Sequence, residues 1–439
     1  MRLSIAVFFI GLIFFGRNVN AQKQITLEQV VALALEKNFD VRLAQNTSTT
    51  ARVNNNYSIA ALLPQLNAVG STLWTNNDQK FEFDDETKNV SGKAKSNNVA
   101  GSLQLVWTLF DGTKMFATRE RLSEIATQGE LNVKNQMVNS ISSIIGNYYN
   151  IVRQKQQLKA IQEQMSVNEE RVKLAERKLQ VGTGGKPELL QAKVDLNAQR
   201  TLLIQQETLI TQLKDQLNGL VGLQLPVAYD VSDSIIINLD LGQEEIAEDI
   251  ESKNFSLQSA QVDLKIARLS LHERRAERSP VINFNGAYNH SQTDNTKLIN
   301  PFSAVYTQIN GLNYGLSFTL PILNGFNVNR QIQQAKITLN RQQLLYDQQK
   351  QQIDVGIKNA YVNYDNAKKV LLIEEENILL AKENVVIALE SFKRGIATFI
   401  ELRTAQQSLA DGYNRLITAR YNAKIAETEL LRLNGGLLK

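Results

Sequence analysis

Four stretches of the chain alternate apolar and polar or small residues with a period of two. The clearest is residues 311–321, where the apolar members are Leu312, Tyr314, Leu316, Phe318 and Leu320. Similar alternation marks residues 281–291 and 98–110, and a weaker form marks residues 65–76. Alternation of this kind predicts strands with one apolar and one polar face. Each run has about ten residues, the length of a tilted membrane-crossing strand.

Most of the remaining chain follows the alternate three- and four-residue steps of a coiled-coil seam. One such series is Ile357, Ala360, Tyr364, Ala367, Leu371, Ile378 and Val385. The pattern predicts two long helical hairpins, over residues 113–222 and 326–434, each preceded by a shorter helix and a pair of strands. The helix over 326–393 alone would be about 100 Å long. The polar segments 77–98 and 292–310 are predicted to be exposed loops between paired strands.

The two halves of the chain repeat one another. At a spacing of 216 residues, 37–39 (Lys-Asn-Phe) recurs as 253–255, and Pro64 recurs as Pro280. At a spacing of 213, Gly182 recurs as Gly395 and Glu188-Leu189 as Glu401-Leu402, and Leu217-Asn218-Gly219 again matches Leu433-Asn434-Gly435 at 216. A register kept over about two hundred residues indicates a duplication. This repeat is the main support for the strand at 65–76.

The duplication predicts the organisation of the chain. Residues 22–222 form a first structural repeat, residues 223–242 a linker, and residues 243–436 a second repeat. The chain has only six prolines, and no segment rich in proline, glycine and serine separates globular blocks. We therefore expect one elongated architecture.

The first 21 residues read as a secretory signal peptide. Arg2 is followed by an apolar run over residues 5–15 and by a small-residue end at Ala21, after which we expect cleavage. The apolar run is too short to span a bilayer as a helix. Loss of Arg2 and Arg17 lowers the formal net charge from +4 to +2, which gives no reason to expect nucleic acid as a partner.

The sequence offers no recognisable catalytic or cofactor chemistry. The chain has no cysteine, so disulfides, a lipid on an N-terminal cysteine, a thiol nucleophile and a His/Cys metal cluster are excluded. His272 and His290 stand alone, and residues 182–186 lack the pattern of a phosphate-binding loop. We expect that the protein is not an enzyme and holds no cofactor or metal.

Four strands cannot close a membrane sheet on their own. An open sheet in lipid would leave unpaired backbone groups at its two edges. The chain is therefore predicted to oligomerise, and three copies would supply twelve strands, more than the smallest closed barrels need.

Taken together, the signal peptide, duplication, four strands and long hairpins resemble the TolC-like outer-membrane efflux family over essentially the whole mature chain. The hairpin tips carry the most specific likeness. The first tip reads Arg-Lys-Leu-Gln-Val-Gly-Thr over 177–183, followed by Glu-Leu-Leu-Gln-Ala over 188–192. The second reads Phe-Lys-Arg-Gly-Ile over 392–396, followed by Glu-Leu-Arg-Thr-Ala over 401–405.

The resemblance implies an α+β membrane protein of the outer membrane of a Gram-negative bacterium. Its homotrimer would combine a 12-stranded β-barrel with a 12-helix α-barrel that extends into the periplasm. The chain would be a passive exit duct of a tripartite efflux pump or a type I secretion system. Its partners would be a periplasmic adaptor (membrane fusion) protein, an inner-membrane pump and outer-membrane lipid.

The resemblance also assigns roles to the tips. Val181, Gly182 and Thr183 match the motif that contacts the adaptor, whereas Arg394, Gly395 and Ile396 keep only its glycine. A constriction at the periplasmic end of the pore would fall to Glu401, with Glu188 and Thr404 nearby.

Plainer interpretations stay open beside these. Each tip glycine is first a turn residue, Glu401 could be a solvated charge near a helix start, and Trp74 and Trp107 could pack in the protein instead of lying at the bilayer interface. The rival function is a structural periplasmic coiled-coil protein without channel activity. The alternating strand at 312–320 argues against it, because a free coiled coil needs no such sheet.

Overall fold

A computed structural model of the chain describes residues 24–222, 229–242, 246, 248–300 and 302–438. The predicted signal peptide at 1–21 lies outside the described residues, as does the first part of the predicted linker, 223–228.

The first half contains α1 (Leu27–Lys37), α2 (Phe39–Asn56), β1 (Gln65–Phe81), β2 (Val90–Phe110), α3 (Lys114–Gln180) and α4 (Lys186–Val221). The second half contains a four-residue helix α5 (Ile250–Lys253), then α6 (Phe255–Ala276), β3 (Val281–Lys297), β4 (Tyr306–Thr319), α7 (Asn327–Lys393) and α8 (Phe399–Asn434). Short 3-10 turns lie at Ser58–Leu62, Glu86–Lys88 and Gly436–Leu438.

Two long antiparallel helix pairs, α3 with α4 and α7 with α8, form the hairpins. The helices α3 and α7 each have 67 residues, which corresponds to about 100 Å. Helix α7 buries a narrow apolar seam and leaves most of its surface exposed, whereas α3 is more extensively buried because α2, α6 and α8 also pack against it. In α7 the buried residues are Ile332, Ile353, Ile357, Ala360, Tyr364, Leu371, Ile378, Val385 and Phe392.

The four strands form one antiparallel sheet in the order β1-β2-β3-β4. They are longer than predicted: 17, 21, 17 and 14 residues. Backbone pairing continues through much of the polar stretches 77–98 and 292–310, so the connecting segments shrink to 82–89 and 298–305. Alternation fails to reveal these extensions because both faces of the sheet are polar there, and only the backbone ladder defines the strand.

The two faces of the sheet differ in chemistry. Leu105 pairs with Leu66 on one side and Gly286 on the other, and Gly286 pairs with Tyr314, so one row is almost entirely apolar. The adjacent row lies on the opposite face and consists of Asn67, Gln104, Ala287 and Asn313. Side chains on this polar face also bond to one another, since Asn285 Nδ2 donates to Ser317 Oγ at 2.9 Å.

In each repeat an asparagine near the start forms a hydrogen bond to the last turn of the hairpin, a contact that we call the clasp. Asn38 caps α2 by accepting from Val41 N, and its Nδ2 donates to the Leu220 carbonyl oxygen at 2.6 Å. Asn254 caps α6 by accepting from Leu257 N, and its Nδ2 donates to the Leu433 carbonyl oxygen at 2.8 Å. Both asparagines are buried, so the recurring Lys-Asn-Phe sequence marks a helix junction.

The clasp corrects the repeat register at the carboxyl end of each half. The α4 cap is Gly222 (φ +76°) and the α8 cap is Gly435 (φ +74°), 213 residues later. The match of 217–219 with 433–435 at a spacing of 216 was therefore wrong. The three-residue offset arises earlier, between the start of β1 and the start of α3, and it persists to the end of the repeat.

The described part of the linker, residues 229–242, is packed against both hairpins. Near its start, Ser232 N donates to Tyr148 Oη of α3 at 3.1 Å, and Lys155 Nζ lies 2.6 Å from Asp230 Oδ2. Near its end, Tyr364 Oη of α7 donates to the Asn238 carbonyl oxygen at 2.7 Å. Burial raises the pKa of the Tyr148 hydroxyl. The segment ties the two repeats together at mid-height of the hairpins.

None of the helices in the described part of the chain combines the length and apolarity that crossing a membrane requires.

Candidate functional site: the hairpin tips and the contacts between them

The first tip is a tight turn that ends α3 with a Schellman motif. Gly182 has φ +75°, and its N–H donates to the Leu179 carbonyl oxygen at 3.2 Å. Thr183 N donates to the Lys178 carbonyl oxygen at 2.9 Å. Glycine accepts the left-handed backbone without the steric cost that a Cβ would add.

The second tip repeats this geometry at a spacing of 213 residues. Gly395 has φ +76° and donates to the Phe392 carbonyl oxygen at 3.1 Å, and Ile396 N donates to the Ser391 carbonyl oxygen at 2.9 Å. The two turns therefore present similar backbones with different side chains, Val181 and Thr183 at one and Arg394 and Ile396 at the other.

Both tips expose apolar side chains. Val181 is 71% exposed and Ile396 is 77% exposed. Apart from the adjacent residues of the turn, a Cβ built on Gly182 or Gly395 would meet no atom of the described residues within 4 Å. The tip residues predicted to meet a partner are therefore accessible, and no described part of the chain covers them.

The second helix of each hairpin begins differently at the two tips. Thr398 and Glu401 form a capping box at the start of α8, in which Thr398 N donates to Glu401 Oε2 at 2.7 Å and Glu401 N donates to Thr398 Oγ1 at 3.3 Å. Thr398 Oγ1 also donates to Glu401 Oε2 at 3.0 Å, and the bonds from Thr398 N and Oγ1, the backbone one first, lower the pKa of the Glu401 carboxyl. At the first tip the equivalent cap is Gly185, which offers no side-chain bond to Glu188 or its neighbours.

The three residues proposed for a constriction do not form a joint cluster within this chain. The Glu401 carboxylate is turned back onto its own helix start. Thr404 Oγ1 donates to the Ile400 carbonyl oxygen at 2.9 Å, inside α8. In the described part of the chain no hydrogen bond or ion pair joins Glu188, Glu401 and Thr404 to one another. Whether they form a ring around the pore stays a prediction about the assembly.

A polar network that the sequence reasoning missed joins the two hairpins above the tips. Asp195 of α4 accepts from Arg171 Nη2 of α3 at 2.5 Å, and its Oδ2 lies 3.3 Å from Arg403 Nε of α8. Arg171 Nη1 also donates to Gln406 Oε1 of α8 at 3.1 Å. One carboxylate thus holds two arginines, one from each hairpin.

Burial makes this network sensitive to change. Arg171 is only 4% exposed, and its guanidinium lies 5.0 Å from the centre of the Phe399 ring. Burial lowers the pKa of Arg171, and the Asp195 charge opposes that shift. An arginine remains charged in a protein, so the loss of Asp195 would leave a buried cation without its carboxylate.

Two further contacts connect the hairpins above and below the network. Above it, Tyr413 Oη of α8 donates to Glu163 Oε2 of α3 at 2.8 Å, and burial raises the pKa of Tyr413 to about 12. Below it, Lys178 Nζ of α3 lies 3.8 Å from the ring centre of Phe392 at the end of α7. Phe392 thus contributes to the contact between the tips through its ring face.

A cleft of about 370 Å³ lies between the hairpins at this level, with Arg171, Asp195, Gln406 and Tyr413 in its wall. The only sequence signal for the network was a charged residue, Arg171, directly beside the seam position Val172. Its partners lie 24 and 235 residues further along the chain, and no local pattern relates such distant positions.

Comparison with known proteins places this architecture among outer-membrane efflux proteins. The family described as "Outer membrane efflux protein" matches residues 30–223 and 246–436, one segment in each half. The cation efflux system protein CusC of Escherichia coli O157:H7 is 20% identical over 414 residues, which are 93% of this chain and 86% of the relative. The outer membrane protein TolC of Escherichia coli K12 is 22% identical over 453 residues, covering 98% of this chain and 88% of the relative.

The fold is shared with solved structures. The outer membrane protein VceC from Vibrio cholerae superposes with a TM-score of 0.75 at 15% identity, covering 93% of this chain and 96% of that one.

Proposed function

The chain belongs to the outer membrane efflux protein family, and we propose that it is the exit duct of a tripartite efflux pump or a type I secretion system. It is an outer-membrane channel subunit that extends into the periplasm. The observation that carries this function is the joining of two parts in one chain: a sheet with one apolar face, and hairpins about 100 Å long that run on from it.

The predicted family membership, location and channel function agree with the family match and with the shared fold. The rival interpretation, a structural periplasmic coiled-coil protein, leaves the apolar face of the sheet without a role. That face carries large exposed side chains, among them Leu103, Tyr314, Leu316 and Phe318. Exposed apolar surface of this extent marks contact with lipid or with another protein.

The open edges of the sheet support assembly into a closed ring of three chains. In the order β1-β2-β3-β4, the outer edges of β1 and β4 have no partner strand in the described chain. In a bilayer such edges would leave backbone groups unsatisfied, at several kcal/mol each. Pairing β4 of one copy with β1 of the next satisfies them, and three copies give the twelve strands that the family resemblance implies.

The long helices carry an apolar surface that the same assembly would cover. On α7, pairs of neighbouring apolar residues recur every seven positions and are exposed in the single chain. They are Leu372 and Ile373, Leu379 and Leu380, and Val386 and Ile387. A seven-residue repeat on the outside of a hairpin is typical of a helix that packs against another helix along its length.

The periplasmic adaptor docks at the tips in this proposal, and it links the duct to an inner-membrane pump. Support comes from the exposure of Val181 and Ile396 and from the open space around Gly182 and Gly395. The chain itself does no chemistry, and the partner pump drives transport. The Asp195 network holds the hairpins together just above the tips, which is where a change in pore width would begin.

Cysteine cross-linking tests the assembly, because the natural chain has no cysteine. One cysteine is placed in β1 (Asn67→Cys or Ser71→Cys) and one in β4 (Asn313→Cys or Ser317→Cys), and all four pairs are oxidised in membranes. At least one pair should give a ladder of bands that ends at three chains. A ladder that ends at two chains, or continues past three, would exclude the trimer.

The matched control places both cysteines within one chain. Asn283 and Ser317 are register partners on β3 and β4, so Asn283→Cys with Ser317→Cys should cross-link without a ladder. The same purified material is then reconstituted in planar bilayers. Absence of channels from correctly assembled trimers would argue against the duct and leave the assembly standing.

A further inference from the structure

Two lysines face each other across neighbouring strands near the end of the sheet that lies away from the helices. Lys95 of β2 is the register partner of Lys297, the last residue of β3, and the register shifts at this point. Thr296 beside the shift donates its Oγ1 to the Lys95 carbonyl oxygen at 3.2 Å. Like charges directly opposite one another destabilise an antiparallel strand pair, so this arrangement calls for a compensating anion.

The acidic residues near the pair do not supply that anion. Lys93 lies two residues from Lys95 and therefore on the same face. Asp78 is its register partner, but no ion pair joins the two side chains in the described part of the chain. Asp294 accepts from Gln292 Nε2 at 3.1 Å. In the described part of the chain the ion pairs include none made by Lys93, Lys95 or Lys297. Lys80 of the neighbouring strand β1, by contrast, is paired with Glu82.

The position of these lysines relative to the apolar face indicates which layer of the membrane surrounds them. On β2 the apolar face includes Trp107, Leu105, Leu103 and Val99, and Lys95 follows on the same face four residues beyond Val99. Four residues correspond to about 13 Å along the strand and to about 10 Å across the membrane at a tilt of about 45°. That distance takes the ammonium groups from the hydrocarbon into the headgroup layer.

We propose that Lys93, Lys95 and Lys297 bind the phosphate groups of a lipid headgroup in the outer leaflet. The inference rests on the proposed function, because it requires the sheet to lie in the outer membrane with this end outward. A phosphate between Lys95 and Lys297 replaces a repulsion with two charge-assisted contacts. The continuous apolar face beneath them, with Val99 and Leu103, receives the acyl chains of the same lipid. This continuity favours a lipid over free phosphate.

The test uses the assembled full-length protein in phosphatidylcholine nanodiscs that contain a small fraction of bis-phosphorylated lipid A. Native mass spectrometry measures how much lipid A each trimer retains as its fraction is varied. A lysine near an anionic membrane surface contributes about 1 kcal/mol, or about fivefold in affinity. The double variant Lys95→Gln/Lys297→Gln should therefore bind lipid A about 25-fold more weakly.

Two other variants distinguish the effect of charge at Lys95 and Lys297 from the effect of the total charge of the protein. The double variant Lys336→Gln/Lys358→Gln removes the same charge from exposed positions of α7 and should retain lipid A as the natural chain does. Lys95→Arg/Lys297→Arg keeps both cations and should restore most of the binding.

Three results would overturn the proposal. They are equal retention of lipid A from which the phosphates have been removed, unchanged retention by the Lys95→Gln/Lys297→Gln variant, and displacement of lipid A by millimolar inorganic phosphate. Conductance is recorded for the same preparations. Channels that form without phosphate-dependent lipid retention would reject this site alone, whereas the absence of channels would count against the proposed function.

Discussion

Asn38 and Leu220, 182 residues apart in the chain, are joined by a 2.6 Å hydrogen bond from the Asn38 amide to the Leu220 carbonyl oxygen. The second repeat builds the same bond between Asn254 and Leu433, 179 residues apart. Each asparagine also caps the helix that follows it. One side chain therefore starts a short helix and fixes it to the last turn of the hairpin, and both halves of the chain depend on this device.

Asn38→Ala and Asn254→Ala should each lower the free energy of unfolding by roughly 1–3 kcal/mol, since each leaves a buried carbonyl and a helix start without a partner. The measurement is urea unfolding of the periplasmic helices in detergent, followed by circular dichroism. Asn46→Ala, an exposed position on α2, serves as the control and should change stability by less than about 0.5 kcal/mol. Equal effects at all three positions would show that the clasp contributes nothing special.

Four glycines with a left-handed backbone should divide into two classes according to how strongly an alanine in their place destabilises the protein. A Cβ on Gly435 would lie 2.3 Å from the Lys253 carbonyl oxygen, and one on Gly222 would lie 2.7 Å from the Lys37 carbonyl oxygen. Gly435→Ala and Gly222→Ala should therefore destabilise by about 3 kcal/mol or more. Gly182→Ala and Gly395→Ala meet open space and should cost only about 1 kcal/mol of backbone strain. Thermal melting of the four variants checks the order, and a tip variant less stable than a clasp variant would contradict it.

Asp195→Asn should loosen the contact between the hairpins, because Arg171 and Arg403 then lose the carboxylate they share. The buried Arg171 and the more exposed Arg403 would then lie side by side without a shared counter-charge and repel each other. We expect a larger single-channel conductance in planar bilayers from the variant. Asp411→Asn, an exposed carboxylate of α8, is the control for the loss of one negative charge. The same conductance from both variants would show that the network does not hold the tips together.

Gly182→Trp should abolish transport while trimers still form, because the indole would occupy the open space at the tip that the proposed adaptor needs. Gly182→Asn is the matched control, since asparagine also accepts the left-handed backbone and adds little bulk. The same pair at Gly395 measures whether the second tip, with Arg394 and Ile396, is used equally. Trimer formation is followed on gels and transport in cells that lack the native gene. Full transport from both tryptophan variants would remove the tips from the docking role.

The backbone amides at the start of α8 should exchange their hydrogens faster in acid. The pKa of the Glu401 carboxyl is lowered from 4.5 by its bonds with Thr398. A depressed pKa in the folded state means that the carboxylate stabilises the cap above pH 4.5 and stops doing so as the pH falls through its folded pKa.

Hydrogen exchange at the Thr398 and Glu401 amides measures this change. Exchange, corrected for its intrinsic dependence on pH, should speed up in acid at the second tip. The first tip is an internal control, because Gly185 provides no side-chain cap. Glu401→Gln keeps an acceptor oxygen without the titrating proton, so its protection should no longer depend on pH. A pH-dependent Glu401→Gln variant would show that another group is responsible.

Local periodicity accounts for the parts of the fold that were predictable. Seam positions such as Ile357 and Leu371 repeat within a few residues, so burial on one face of a helix can be read from the chain. The same holds for the strand around Leu312–Leu320, where one face is apolar. At the tips, the glycines at 182 and 395 predicted turns because few other residues accept a left-handed backbone.

Where neither face of a strand is apolar, the sequence shows no alternation of apolar and polar residues from which the strand could be predicted. The outer parts of β1 to β4 are polar on both sides, so their pairing was mistaken for loop. The linker gave no hint that Ser232 and Asn238 bond to tyrosines of both hairpins. The repeat register near residue 219 was misread because a three-letter match outweighed the position of the capping glycine.

By itself, then, the sequence determined the helices, the existence of four strands and the duplication, since these follow from the spacing of neighbouring residues. Tertiary structure alone decided how Asp195 comes to hold Arg171 and Arg403, and how Lys95 comes to face Lys297. Those contacts join positions up to 208 residues apart. They depend on how complete helices and strands pack, and no periodic pattern encodes which side chains meet when they do.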